Sequence, residues 1–151
     1  MVVHSGQERA LATSAYAERR AQCVAAEALV GPLRESSPAN VEAIEDDVLR
    51  RRARHVVTEN QRVVDAAVAL RADDREALGE LFVASHRSLR DDFESSTAVV
   101  DALVERLCAT PGVHGARITG GGWGGCVVAI TEPGALDEGW KVRPGPGAHL
   151  C

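Results

Sequence analysis

"RITGGGWGGCVVAI", residues 117–130, places five glycines in the six-residue window 120–125 and runs straight into an apolar, β-branched stretch. Each glycine gives up more backbone freedom on folding than any other residue. Such density is kept where backbone must come close to something. Gly120, Gly122 and Gly125 satisfy G-x-G-x-x-G, but a dinucleotide-binding loop must open a helix, and "CVVAI" reads as a strand. A Walker A loop needs Gly-Lys-Ser/Thr after its glycines, and Cys126-Val127 follows instead. What remains is strand–loop–strand, in which successive amides can form a nest for phosphate or sugar oxygens. A glycine-rich hairpin turn that makes room for a packed helix stays open beside that reading. Two features favour the anion loop. A hairpin needs only about two or three glycine-tolerant positions, and Trp123 is wasteful among them unless something covers its indole.

Outward from the loop, the pattern predicts a strand at Val113–Ile118 before it and one at Cys126–Ile130 after it. A short "EPGALDEG" segment then leads to a last strand near Trp140–Val142. Upstream the chain reads as helices. "MVVHSG" is a short strand and turn, Ser14–Val30 a helix stopped by Gly31-Pro32, and Ser37-Pro38 a helix entry. Val41 to about Leu70 forms the longest helix, with Val48, Leu49, Val56, Val57, Asn60, Val63, Val64, Ala67 and Leu70 on one face and "RRR" and "EDD" opposite. Asp73 and Glu76 are spaced as a capping box for a helix carrying Leu78, Leu81, Phe82, Ser85, His86 and Leu89. "RDDFESS" ends it, and Thr97 caps a helix through Cys108. Helices followed by a strand pair predict an α+β fold.

A chain of 151 residues holds one domain with a proper core. Aromatics are only 3% while 45% of residues are apolar, which favours helices packed through small side chains. A net charge of -5 provides no basic field for nucleic acid. Of 17 basic residues only Lys141 is lysine, and the arginines alternate with acids. Cys23, Cys108, Cys126 and Cys151 form no CxxC or zinc-finger spacing, so a reduced, cytoplasmic protein without a metal site is expected. No h-region opens the chain and no apolar run reaches about 18 residues, which indicates neither secretion nor membrane insertion.

The stretch "GARITGGGWGGCVVAI" resembles the third signature of the GHMP small-molecule kinases in its galactokinase form. "YAERRAQCVAA" (16–26), "RRARHVVTENQRV" (51–63) and "SHRSLRDDFESS" (85–96) are similar to galactokinase stretches in the same order, as is the terminal "VRPGPGA". The resemblance implies a GHMP kinase C-terminal domain over 1–151, a ferredoxin-like variant with an antiparallel sheet packed against several helices. It covers only the C-terminal half of a galactokinase. The family's sugar signature, its phosphate-binding loop, its catalytic aspartate and the arginine partner of that aspartate lie in the N-terminal domain, which the sequence does not match.

By that resemblance Tyr16 hydrogen-bonds a sugar hydroxyl, and Gly120, Gly121, Gly122, Gly124 and Gly125 line the sugar and the phosphoryl group in transit. No catalytic residue is assigned: Asp91 and Asp92 read as helix-end charges, and His55, His86 and Asn60 as packing or hydrogen-bonding residues of the scaffold. Glu8 stands where relatives carry a phosphate-facing arginine, so either Arg9 substitutes as the phosphate contact or this corner of the site is impaired. Trp123 replaces a phenylalanine, and the segment after Ile130 is short. The expected activity is ATP-dependent phosphorylation of galactose, or a related sugar, at the anomeric hydroxyl, with ATP and Mg2+ as cofactors of the complete enzyme. The isolated chain is expected to bind neither strongly and to turn over nothing alone. Its expected partners are the sugar and either a separate N-terminal kinase half or a second copy meeting an uncovered face. The alternative is a non-catalytic remnant, or a module that binds sugar or a partner.

Overall fold

The computed structural model describes residues 1–8, 12–143 and 145, without the side chains of 12 and 13. In chain order it runs β1 (Val2–His4), α1 (Ala12–Val30), a 3-10 turn (Leu33–Glu35), α2 (Pro38–Glu42), α3 (Asp47–Arg71), α4 (Arg75–Asp91), α5 (Ala98–Cys108), β2 (Val113–Ile118) and β3 (Cys126–Thr131). The strands form an antiparallel sheet in the order β1-β3-β2, with Val3 opposite Val127 and Ile118 opposite Val127 on its other side. The fold is α+β, as the sequence predicts. Ser37 caps α2 and Thr97 caps α5 through side chains that accept amide hydrogens of Asn40 and Val100.

Four expectations are corrected. The long helix predicted from Val41 is broken: α2 ends at Glu42, and Asp46 accepts the Leu49 amide to start α3. The N-cap of α4 is Asp74, which accepts from Ala77, while Asp73 sits at φ 52 in the turn before it. Trp140 forms an isolated bridge to Val2 rather than a last strand. The apolar face predicted for α3 is covered only in its first half; Val63, Val64 and Leu70 are exposed, as are Asn60 and Val68.

Two apolar cores result. In one, Val100, Leu103, Val104 and Leu107 of α5 pack on Val3, Ala116, Ile118, Val127 and Ala129 of the sheet. In the other, Ala26, Leu33, Val41, Ile44 and Ala53 join α1, the 3-10 turn, α2 and α3. Between them α4 lies flush on β2: a Cβ on Gly115 would fall 2.1 Å from the Gly79 carbonyl oxygen. The seam around α4 is polar, with Arg52, His55, Ser85, His86, Ser88 and Ser95 all buried.

Arg52 departs from the placement of "RRR" opposite the apolar face. Its side chain is 2% exposed. It donates to Gln22 Oε1 at 2.8 Å, to the Asp92 carbonyl, and to Glu94 Oε2 at 2.6 Å, so one guanidinium joins α1, α3 and the α4–α5 connection. Beside it, the His55 ring lies 4.6 Å from that of Phe93. His55 Nδ1 donates to Ser88 Oγ, and Ser88 in turn donates to Asp92 Oδ2. Asp91 ends α4 and Asp92 caps it, consistent with their reading as helix-end charges.

Removing one member of such a buried set strands the others. Arg52→Ala should therefore lose on the order of 3 kcal/mol in chemical denaturation, and Arg52→Lys most of that, since an ammonium cannot serve three acceptors in fork geometry. Burial holds His55 down at about 4 from its ordinary 6.5. The unfolded chain then takes up the proton first, so this contribution is full above about pH 6.5 and is lost as pH falls toward 4. Denaturation between pH 7 and 5 should show about 2 kcal/mol less pH dependence in His55→Gln than in wild type.

Candidate functional site: the glycine loop and its supports

Between β2 and β3 the backbone takes positive φ at Gly120, Gly122, Trp123, Gly124 and Gly125. L side chains pay for that region, so Trp123 at φ 54 is strained by about 1 kcal/mol or more. Its amide is what holds it there, donating to the Ser95 carbonyl at 2.7 Å. The Gly125 amide donates to the Gln7 carbonyl at 2.9 Å, and the Gly125 carbonyl accepts from Ser5. Gln7 is fastened in turn, because Thr97 Oγ1 donates to its side-chain oxygen at 2.6 Å.

The five glycines therefore divide. Gly122 and Gly124 are buried because neighbouring backbone lies against them: an added Cβ would fall 2.3 Å from Ser95 O and 2.9 Å from Gln7 O, respectively. Gly121 is different. Its φ is not positive, nothing lies within 4 Å of an added Cβ, and the residue is exposed together with Gly120. The fold itself makes no use of the missing side chain at 121, and the open backbone faces outward.

Tyr16 is 56% exposed on α1. One turn further on, Arg19 Nε donates to the Phe93 carbonyl at 2.7 Å. The helix that carries Tyr16 and the glycine loop are thus both fastened to the segment Phe93–Ser95. Glu94, at φ 51, gathers Arg19, Arg51 and Arg52 around one carboxylate. The hydrogen bond from Arg51 leads in holding that carboxyl below its ordinary value. Arg9 lies outside the described residues. Glu8 is exposed, and its carbonyl lies 3.3 Å from where a Gly124 Cβ would be, so the departure from the family's arginine sits against the loop.

On the other side of the loop, Arg117 donates to Glu59 at 3.1 Å, and Glu59 also accepts from Ser85 at 2.6 Å and Arg62 at 2.7 Å. Burial raises the Glu59 carboxyl, but the bonds from Ser85 and Arg62 and the charge of Arg117 outweigh it and the net shift is downward. Gln7, Arg52, Glu94, Ser95 and Glu59 escape a reading of the sequence, since each acts through partners far along the chain. A cleft of about 630 Å³ between the 3-10 turn and α3 includes none of the predicted site residues. Among the described residues no group of His, Cys, Asp and Glu is placed to hold a metal ion, and no helix is long and apolar enough to cross a membrane.

Residues 66–141 match the model of the GHMP kinases C-terminal family. The chain is 47% identical to human galactokinase over 146 residues, which covers 93% of the chain and 37% of that enzyme. It is 42% identical to the galactokinase of Exiguobacterium sibiricum, over 91% of the chain and 37% of the relative. The crystal structure of Lactococcus lactis galactokinase complexed with galactose superposes with a TM-score of 0.78 at 39% identity, over 86% of this chain and 36% of that one. The chain thus spans little more than a third of the length of these relatives.

The division of the glycines is open to direct measurement. Gly122→Ala should cost on the order of 3 kcal/mol of stability, because it combines a left-handed backbone with overlap on Ser95. Gly121→Ala should stay within about 1 kcal/mol of wild type in the same denaturation assay.

Proposed function

The chain belongs to the GHMP kinase C-terminal family, and from that membership we propose that it forms the C-terminal wall of a galactokinase-like active site. The likeness to galactokinases over nine-tenths of the chain carries this reading, with the galactose complex of the Lactococcus lactis enzyme as its structural counterpart. The reaction transfers the γ-phosphoryl of ATP to the anomeric hydroxyl of galactose or a closely related sugar. The oxygen–phosphorus bond to the sugar forms as the bond to ADP breaks, and the hydroxyl proton passes to a base outside this chain. Such transfer depends on positioning and charge stabilisation more than on covalent chemistry by the protein.

This chain contributes the positioning. The exposed backbone at Gly120 and Gly121 lets sugar and phosphoryl oxygens come within reach of amides, where a side chain would hold them off. Tyr16 offers a ring for the sugar face and a hydroxyl to orient it. Of the two readings of the Glu8 corner, the one in which Arg9 substitutes goes with an active half-site, and the one in which the corner is impaired goes with a remnant. The triphosphate cradle and the Mg2+ ligands come from the N-terminal part of the enzyme, and catalysis takes place in the cytoplasm. A second reading, a non-catalytic module that binds a partner, is favoured by the exposed stripe of Val63, Val64, Val68 and Leu70 on α3.

Calorimetric titration and a turnover assay with galactose and ATP, with and without the N-terminal half of a galactokinase, separate the readings. Turnover is expected only with both halves present, and Gly121→Val should abolish it while leaving the fold intact. Turnover by the chain alone would refute the half-site, and inactivity of a stable two-part complex would refute the kinase reading.

A further inference from the structure

β2 lies at the edge of the described sheet, and its amides alternate in direction. Thr119 N–H points inward, donating to the Cys126 carbonyl at 2.9 Å. The preceding amide, Ile118, therefore points away from β3, at a residue only 1% exposed, where an unpaired donor would be costly. No strand receives it. Its acceptor is His86 Nδ1, at 3.4 Å, from α4. A helix side chain thus closes a point of the edge that a neighbouring strand would otherwise cover.

The imidazole can accept only if Nδ1 carries no proton, and the other ring nitrogen settles that. His86 Nε2 lies 3.1 Å from Asp101 Oδ1, a carboxylate that only accepts, so the proton sits on Nε2. Ser96 Oγ donates to the same oxygen at 2.5 Å and fixes the carboxylate. We propose that His86 is a positioning residue of the glycine loop, holding through Ile118 the point at which β2 gives way to Gly120, with Asp101 selecting the tautomer that makes this possible. Burial lowers the His86 pKa, and Asp101 opposes that, as Arg90 of α4 and Arg117 of β2 do not. The ring is thereby kept neutral, and its acceptor available, at neutral pH. The consequence for catalysis rests on the kinase reading; the consequence for the loop does not.

Two substitutions separate the ring's two bonds. In His86→Asn the side-chain oxygen falls near the former Nδ1 and can still receive the Ile118 amide. In His86→Gln the side chain reaches Asp101 but leaves Ile118 unpaired. Amide exchange followed by NMR at neutral pH should show Ile118 exchanging roughly ten-fold faster in His86→Gln, with the amides of 119–122 broadened, and near wild type in His86→Asn. Unchanged exchange in His86→Gln, or equal loss in both variants, overturns the proposal. Should neither variant fold, the nitrogen-15 shifts of the wild-type ring decide: a proton on Nε2 supports it, and a proton on Nδ1 refutes it. In the two-part enzyme, His86→Gln should lower kcat with sugar KM little changed, and His86→Asn should restore it. Unaltered kcat would refute the catalytic consequence. If the wild-type assembly is itself inactive, the kinase reading fails and the exchange result alone judges the role of His86.

Discussion

Arg52 carries a charge into a place that water does not reach, which is tolerable because each of its three guanidinium nitrogens meets an oxygen. Those oxygens belong to α1, to the end of α4 and to Glu94, three pieces of chain that no hydrophobic cluster joins. The two apolar cores would otherwise meet across a gap filled only by α4. The Arg52 guanidinium adds a charged link to the packing by which α4 joins the helical core to the sheet core. The dense set of arginine and carboxylate partners around Glu94 follows from the same need, since a lone buried guanidinium would have to be repaid elsewhere.

From that point rigidity is passed on by short steps. Glu94 keeps Phe93–Ser95 in place, Ser95 presents its carbonyl to Trp123, and the strained indole residue is pinned. Gln7, held by Thr97, grips the loop from the other side. The loop is thus clamped at 123 and 125, whereas 120 and 121 are exposed and nothing lies against 121. A ligand-facing backbone needs that asymmetry, because amides that are to meet oxygens must be preorganised without being covered.

The helices were legible because their signals are local. Ser37, Pro38 and Thr97 mark starts by rules that operate within four residues, and the loop announced itself by glycine density. The break before Asp47 was hidden because "EAIEDD" fits a polar first turn as readily as it fits a turn between helices. Arg52 was hidden for a different reason. Its partners lie 30 to 42 residues away, and nothing in "RRR" distinguishes the one arginine that turns inward. The same holds for the glycines, which are identical in the sequence and opposite in duty: Gly122 makes room for Ser95, and Gly121 makes room for nothing that the fold contains.

Both grips on the loop end at main-chain carbonyls, those of Ser95 and Gln7. A carbonyl is present whatever the side chain, so the grip itself does not depend on residue identity at those two positions. It depends on chain length instead. Removing or inserting one residue near Gln7, or between Asp92 and Thr97, would carry the carbonyl past its amide and release the loop, while many substitutions there would leave the main-chain bond in place. A change of chain length in either stretch is therefore the one change that the main-chain grip cannot absorb, whatever the side chains there do for the rest of the fold.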